Sequence, residues 1–323
     1  MQRREGLGLA LAAVSSATFG TSGTFAASLL AVGWTPGAAV TARIVIAAVV
    51  LTVPALVVLR RHRFDVRRGG RTLATYGLVA VAGAQLCYFN AVNHLSVAVA
   101  LLLEYSGILL VVAWMWLRHQ QRPRLLTGAG SAVALVGLVL VLDLAGNHRV
   151  DGIGVLWGLG AGVGLATYFV ISAGDTDAPS PLIVAWGGLV VGAAALLVAD
   201  VTGALPYAAP RADVTLLHHR MSWLVPVLGL SLVAAVIAYV TGIAGVRLLG
   251  ARLASFVGLL EVLFAIVFAW LLVGQSLSLT QLAGGALIVA GIALVRVDEM
   301  RTPGRDTIVV ADPELAGLER AGT

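Results

Sequence analysis

Ten apolar stretches, most of them close to twenty residues long, follow one another along the chain. They run 7–31, 38–59, 72–93, 96–117, 125–143, 152–173, 181–200, 222–246, 253–273 and 279–297. Crossing a hydrocarbon core of about 30 Å takes about 20 residues as a helix, and a helix satisfies its own backbone polar groups there. The stretches therefore predict an all-α integral membrane protein with ten transmembrane helices. Composition agrees: 59% of residues are apolar and 11% charged, against about 25% charged in soluble domains. The least marked boundary, between the third and fourth stretches, rests on Asn93-His94.

A net charge of +5 and a pI near 10.0 would suit nucleic acid if the bases gathered on a soluble domain, but no stretch of this chain makes one. All 21 basic residues are arginine. Cys87 is the sole cysteine, so it reads as a small buried hydrophobe and neither a disulfide nor a thiolate metal site is expected. The N-terminus, Met1-Gln-Arg-Arg followed by Leu7–Val14 and Ser15-Ser16-Ala17, has the outline of a signal peptide. Because its apolar run continues to Ala31 and further spans follow, it is expected to stay as the first helix.

Arginine placement orients the spans, since basic residues accumulate in cytoplasmic loops. With the N-terminus inside, seventeen of the 21 arginines fall on the cytoplasmic side. Arg149, Arg211 and Arg220 fall outside, and Arg43 lies within the second span. Both termini are thus expected in the cytoplasm of a plasma membrane. The inner loop Asp175–Ser180 departs from the pattern, with two aspartates and no arginine. The outer segment Val201–Ser222 reads as a surface excursion, and its His218-His219 pair lacks the further ligands a metal needs. Residues 298–323, polar and carrying Pro303, Gly304 and Pro313, read as a disordered cytoplasmic tail.

The two halves of the chain resemble each other. Glu5-Gly-Leu-Gly opens the first span as Asp151-Gly-Ile-Gly opens the sixth. Pro36 precedes Arg43 by seven residues as Pro179 precedes Trp186, and Leu101-Leu-Leu-Glu104 resembles Gly258-Leu-Leu-Glu261. Two units of five helices follow, 5–143 and 151–297. Because five is odd, the second copy enters from the opposite face, which predicts two inverted repeats with a site at their interface.

Arg252–Ala265, Leu272-Val-Gly-Gln-Ser-Leu277 and Gln281–Gly291 resemble the EamA-type transporters of the drug/metabolite transporter superfamily, and the resemblance extends over residues 5–297. Such units typically carry a Glu-Pro pair in this helix and a Gly-Glu pair at its end. Here they read Glu104-Tyr105, Glu261-Val262 and Gly274-Gln275. The resemblance implies secondary transport, commonly export of amino acids or other metabolites, from a central cavity lined by both halves.

Charge within the bilayer costs about 2.5–3.5 kcal/mol on insertion scales, so Arg43, Glu104 and Glu261 each call for a reason. Glu104 lies about 10–15 Å below the outer face and Arg43 about 8 Å below it. An ion pair between them would serve as structure alone. Glu261 has Trp186 where the first repeat has Arg43, and so no cation at its depth. It is expected to exchange a proton or hold a substrate amine, against the plainer role of a carboxyl bonded to nearby backbone. Gln85, Tyr88 and Asn90 on the third span, Tyr105 on the fourth, Tyr168 on the sixth, Tyr239 on the eighth and Ser255 on the ninth are further candidates for a cavity wall. The alternative for each is a link between helices.

Gly154, Gly158 and Gly162, with Gly160 and Gly164 beside them, suit close helix packing. The six histidines lie at loops or helix ends and no phosphate-binding loop occurs, so the chain is expected not to be an enzyme or an ATPase. The expected partners are a small-molecule substrate and the lipid bilayer, with no nucleic acid, cofactor or metal, and a homodimer stays open beside a monomer. The expected function is secondary transport of an amino acid or drug-like metabolite by alternating access, as an exporter and with proton coupling at Glu261. The rival is a membrane scaffold or lipid-binding protein without transport.

Overall fold

The computed structural model describes residues 2–61, 66–94, 97–119, 124–141, 151–174, 179–216, 219–273 and 279–300. Gly274-Gln275, Asp175, Asp177, His218 and the tail from Arg301 lie outside the described residues.

Over these residues the chain forms ten helical rods and one short hairpin. α1 is Gln2–Gly20 continued by Ser22–Leu30; α2 is Pro36–Arg61; α3 joins Val66–Thr75, Tyr76–Gly83 and Ala84–His94; α4 is Val97–Tyr105 and Gly107–His119; α5 is Leu125–Val141. α6 is Gly152–Ala173; α7 is Pro181–Val201; α8 joins Leu224–Leu228, Gly229–Ile237 and Ala238–Leu249; α9 is Ala251–Gly258 and Leu260–Val273; α10 is Leu279–Met300. Between α7 and α8, β1 (Val214–Leu216) pairs antiparallel with β2 (His219–Met221). The segment between α7 and α8 is tied down, since the Trp34 indole donates to the Pro210 carbonyl at 2.9 Å and the Thr35 hydroxyl to the Pro206 carbonyl at 2.9 Å.

Among the described residues five helical stretches are long and apolar enough to cross a membrane: Pro36–Arg60, Gly69–Ala91, Gly152–Ala173, Pro181–Val201 and Leu224–Leu249. Shorter apolar cores, Leu125–Leu140 and Leu282–Val295, occupy α5 and α10. Outward faces carry large apolar side chains, among them Val53 at 70% and Leu156 at 71% exposure, as a lipid-facing surface does. α1, α4 and α9 are interrupted. At Thr21 and Ser106 a hydroxyl turns back onto a carbonyl three residues earlier, Thr18 at 2.7 Å and Leu103 at 2.6 Å, competing with the helical ladder. At Leu259 the backbone tightens into three-residue steps, Leu259 to Phe256 and Val262 to Leu259, both at 3.1 Å.

The irregularities recur. α3 and α8 each contain a wide π-helical stretch, from Tyr76 and from Gly229, and α4 and α9 break at Ser106 and Leu259; both pairs stand 153 residues apart. This register differs from the alignment of Glu104 with Glu261, which are 157 apart. It sets Glu104 opposite Val257 and Glu261 opposite Ile108. Local similarity between leucine-rich tetrapeptides had hidden a shift of one helical turn.

Packing repeats in the same sense. α1 packs on α8 as α6 packs on α3, α1 on α9 as α6 on α4, and α7 on α3 as α2 on α8, while α2 meets α7 and α5 meets α10. In the last pair a Cβ on Gly130 would come within 2.9 Å of the Gly291 carbonyl, and one on Gly137 within 2.7 Å of the Gly284 carbonyl. The two helices therefore run in opposite directions at backbone contact, as small residues permit.

Candidate functional site

Three helices of each half, α1, α3 and α4 with α6, α8 and α9, enclose a cavity of about 70 Å³, measured as space open to the centres of water molecules. That is room for roughly five waters. Glu104, Glu261, Gln85, Tyr105, Tyr168 and Tyr239 all line it. Six of the residues singled out from sequence thus come together, and the helix breaks explain how the carboxyls arrive. Glu104 stands two residues before the interruption of α4 and Glu261 two residues after that of α9, both at turns where the helical ladder is disturbed. The Tyr105 hydroxyl, beside the Glu261 carboxyl, donates to the Gly258 carbonyl at 3.2 Å.

Arg43 stands behind this wall. The anticipated ion pair with Glu104 does not form; among the described residues neither carboxylate pairs with a cation. Instead Nη1 of Arg43 donates to Gln85 Oε1 at 2.9 Å and to Ser22 Oγ at 3.0 Å, and Nη2 donates to the Ala234 carbonyl. Ala234 lies in the π-helical stretch of α8, where wider turns disturb the helical ladder. Arg43 is 2% exposed, and its guanidinium carbon sits 5.8 Å from the Phe19 ring centroid. Depth along the helices had paired Arg43 with Glu104, whereas side-chain direction around α2 points it to α1, α3 and α8. Trp186, which the sequence alignment of the halves set against Arg43, donates its indole N–H to Thr52 Oγ1 at 3.0 Å.

Three other candidates lie off the wall. Tyr88 stands edge-on to Phe89 at 5.7 Å, the Asn90 amide donates to the Leu86 carbonyl at 2.8 Å, and buried Ser255 donates to the Arg252 carbonyl at 2.7 Å. Sequence reasoning missed α1, whose Ser15, Ser16 and Phe19 line the cavity. Ser15 donates to the Ala238 carbonyl at 2.8 Å and Ser16 to the Val257 carbonyl at 3.3 Å. The adjacent serines inside an apolar run were the available signal. Phe19 meets Tyr239 at 5.2 Å and Tyr168 at 6.5 Å, both edge-on, and Tyr168 meets Phe169 at 5.0 Å. One side of the cavity is therefore aromatic and another carboxylate. Among the described residues no three His, Cys, Asp or Glu side chains converge as a metal site would need.

Beyond the cavity, Asp151 caps α6 by accepting from the Ile153 N–H at 2.9 Å, and its other oxygen meets His94 Nδ1 at 2.9 Å. The Ile153 N–H, with the His94 contact second, holds this exposed carboxyl below the usual aspartate range.

Comparison with known proteins agrees with this architecture. Residues 6–143 and 152–297 each match the EamA-like transporter family. An uncharacterised transporter of Archaeoglobus fulgidus is 30% identical over 71% of this chain and 78% of its own length. The uncharacterised inner membrane transporter YicL of Salmonella typhimurium is 23% identical over 73% of this chain and 76% of its own. YwfM of Bacillus subtilis, also an uncharacterised transporter, is 26% identical over 67% and 70%. A solved crystal structure superposes with a TM-score of 0.73 over 90% of this chain and 97% of the other, at 20% identity, and so shares the fold. The chain is a multi-pass membrane protein that belongs to the EamA-like transporter family and carries the family unit twice.

Proposed function

We propose that the protein is a secondary transporter that carries a small metabolite, an amino acid or drug-like solute, across the plasma membrane by alternating access. In this reading all ten rods cross the bilayer as two inverted five-helix repeats, with both termini in the cytoplasm as the arginines indicate. The observation that carries it is the cavity between the repeats, walled by one carboxyl from each half, Glu104 and Glu261. Charge held at this depth without a cation partner is retained where it serves a solute or proton path. The direction is export. Glu261 couples the movement to protons, with Glu104, Gln85, Tyr105, Tyr168 and Tyr239 contacting the solute.

Purified protein reconstituted into vesicles tests this, with uptake and efflux of an amino-acid, nucleoside and drug panel followed with and without a pH gradient. Movement of at least one solute, accelerated by the gradient, is the expected result. If no solute moves, a scaffold or lipid-binding role takes its place.

A further inference from the structure

We infer that Gln85 is a specificity-determining residue of the cavity and that Arg43 is its positioning residue, together presenting one fixed hydrogen-bond donor to the solute. The inference rests on the transport reading above.

A guanidinium has donors and no acceptor, whereas a glutamine amide ends in one acceptor and one donor group. Arg43 Nη1 approaches the Gln85 side chain at 2.9 Å. Only Oε1 can face it, because the rotated amide would set donor against donor. Chemistry thus assigns the amide orientation, which electron count alone leaves ambiguous in glutamines. Arg43 cannot yield by turning, since Ser22 and Ala234 hold the same guanidinium from two other helices and it is 2% exposed. The far side of the amide, its NH₂, is what Gln85 brings to the cavity it lines.

Three other donors there are committed, since Tyr105, Ser15 and Ser16 each donate to a backbone carbonyl. The Tyr168 and Tyr239 hydroxyls also line the space but turn about their C–O bonds, so Gln85 supplies the donor that is fixed in direction. The Gln85 NH₂ has no protein acceptor among the described residues. The carboxyls of Glu104 and Glu261 line the same space and accept. The cavity therefore offers a donor from α3 and acceptors from α4 and α9, and it selects a solute carrying an acceptor group, carboxylate or carbonyl, together with an amine.

Binding of three matched pairs to the purified full-length protein tests this: alanine and ethylamine, leucine and isopentylamine, phenylalanine and phenethylamine. Each pair differs by one carboxylate. Wild type should bind the acid-bearing member of at least one pair about tenfold tighter or more, the scale of a hydrogen bond to a charged group. In Gln85→Leu that preference should shrink to about twofold while the plain amine binds as before. Arg43→Lys, which keeps a donor against Oε1, should retain the preference, and Arg43→Gln, which allows the amide to rotate, should lose it. Equal binding of both members by wild type, or an equal loss of both in Gln85→Leu, overturns the inference. The wild-type comparison decides even where a variant does not fold. Vesicle transport of panel solutes without the acid-over-amine preference sinks this inference alone, whereas absence of all transport sinks the reading beneath it.

Discussion

The Tyr105 hydroxyl of α4 donates to the Gly258 carbonyl of α9 at 3.2 Å, joining the residue before one helix break to the residue before the other. Tyr105→Phe removes the donor and leaves a half-buried carbonyl short of a partner. Side-chain hydrogen bonds in membranes average about 0.6 kcal/mol, and an orphaned buried acceptor adds to that. A loss on the order of 1 kcal/mol is expected in chemical unfolding of the detergent-solubilised protein. Unchanged stability would show that α4 and α9 are not coupled here.

Glu261→Gln keeps the size of the side chain and removes its titration. Transport by this variant should lose its response to a pH gradient, while Glu104→Gln should weaken solute affinity and keep the response. Vigorous, pH-dependent transport in Glu261→Gln would remove Glu261 from the coupling role.

Gly107 begins the second part of α4, and a Cβ there would overlap the Gly162 carbonyl on α6. Backbone cannot yield as a side chain does, so Gly107→Ala should destabilise by about 1–3 kcal/mol, as overpacking does. Gly128→Ala meets nothing within 4 Å and should be neutral or stabilising, because alanine is the better helix former. Thermal melts of the two variants side by side provide the check.

Thr52 and Trp186 join α2 to α7 through one hydrogen bond at 3.0 Å. A double-mutant cycle with Thr52→Val and Trp186→Phe should return a coupling of about 0.6 kcal/mol. A value several times larger would mean that the pair anchors the two halves rather than adding one ordinary contact.

Asp151 supplies a stability term with a defined sign. Its carboxyl is held below the usual range by the Ile153 N–H and by His94, so the folded state favours the ionised form. That contribution is complete above the unfolded aspartate value of about 3.9 and is lost as pH falls through the lower folded value. The stability advantage of wild type over Asp151→Ala should be steady near neutral pH and shrink below about pH 4. An advantage that grows on acidification would contradict the cap.

The rods were legible because lipid imposes one length on every crossing, and the apolar runs report that length directly. The breaks at Ser106 and Leu259 were not, since neither has a proline and each depends on which carbonyl a hydroxyl or amide chooses. Glu104, Glu261, Gln85, Tyr105, Tyr168 and Tyr239 were found because polar side chains in apolar runs stand out. Arg43 was given the wrong neighbour, because depth follows from residue number while azimuth depends on how α1, α3 and α8 close around α2. Ser15 and Ser16 looked like the end of a leader segment, and only the seat of α1 against α8 and α9 shows them as wall.

The register set by the helix breaks has a consequence for directionality. Two exact inverted copies would place any pair of equivalent groups on opposite sides of the midplane, and the site would look alike from either compartment. Glu104 precedes its break and Glu261 follows its own, so in the inverted arrangement proposed above both fall toward the same compartment. In that arrangement the two acids are not images of each other, and a solute arriving from one side meets both before the breaks, whereas one arriving from the other side meets the breaks first. A near-palindrome of the proposed kind would thus be made vectorial at the place where its cargo rests.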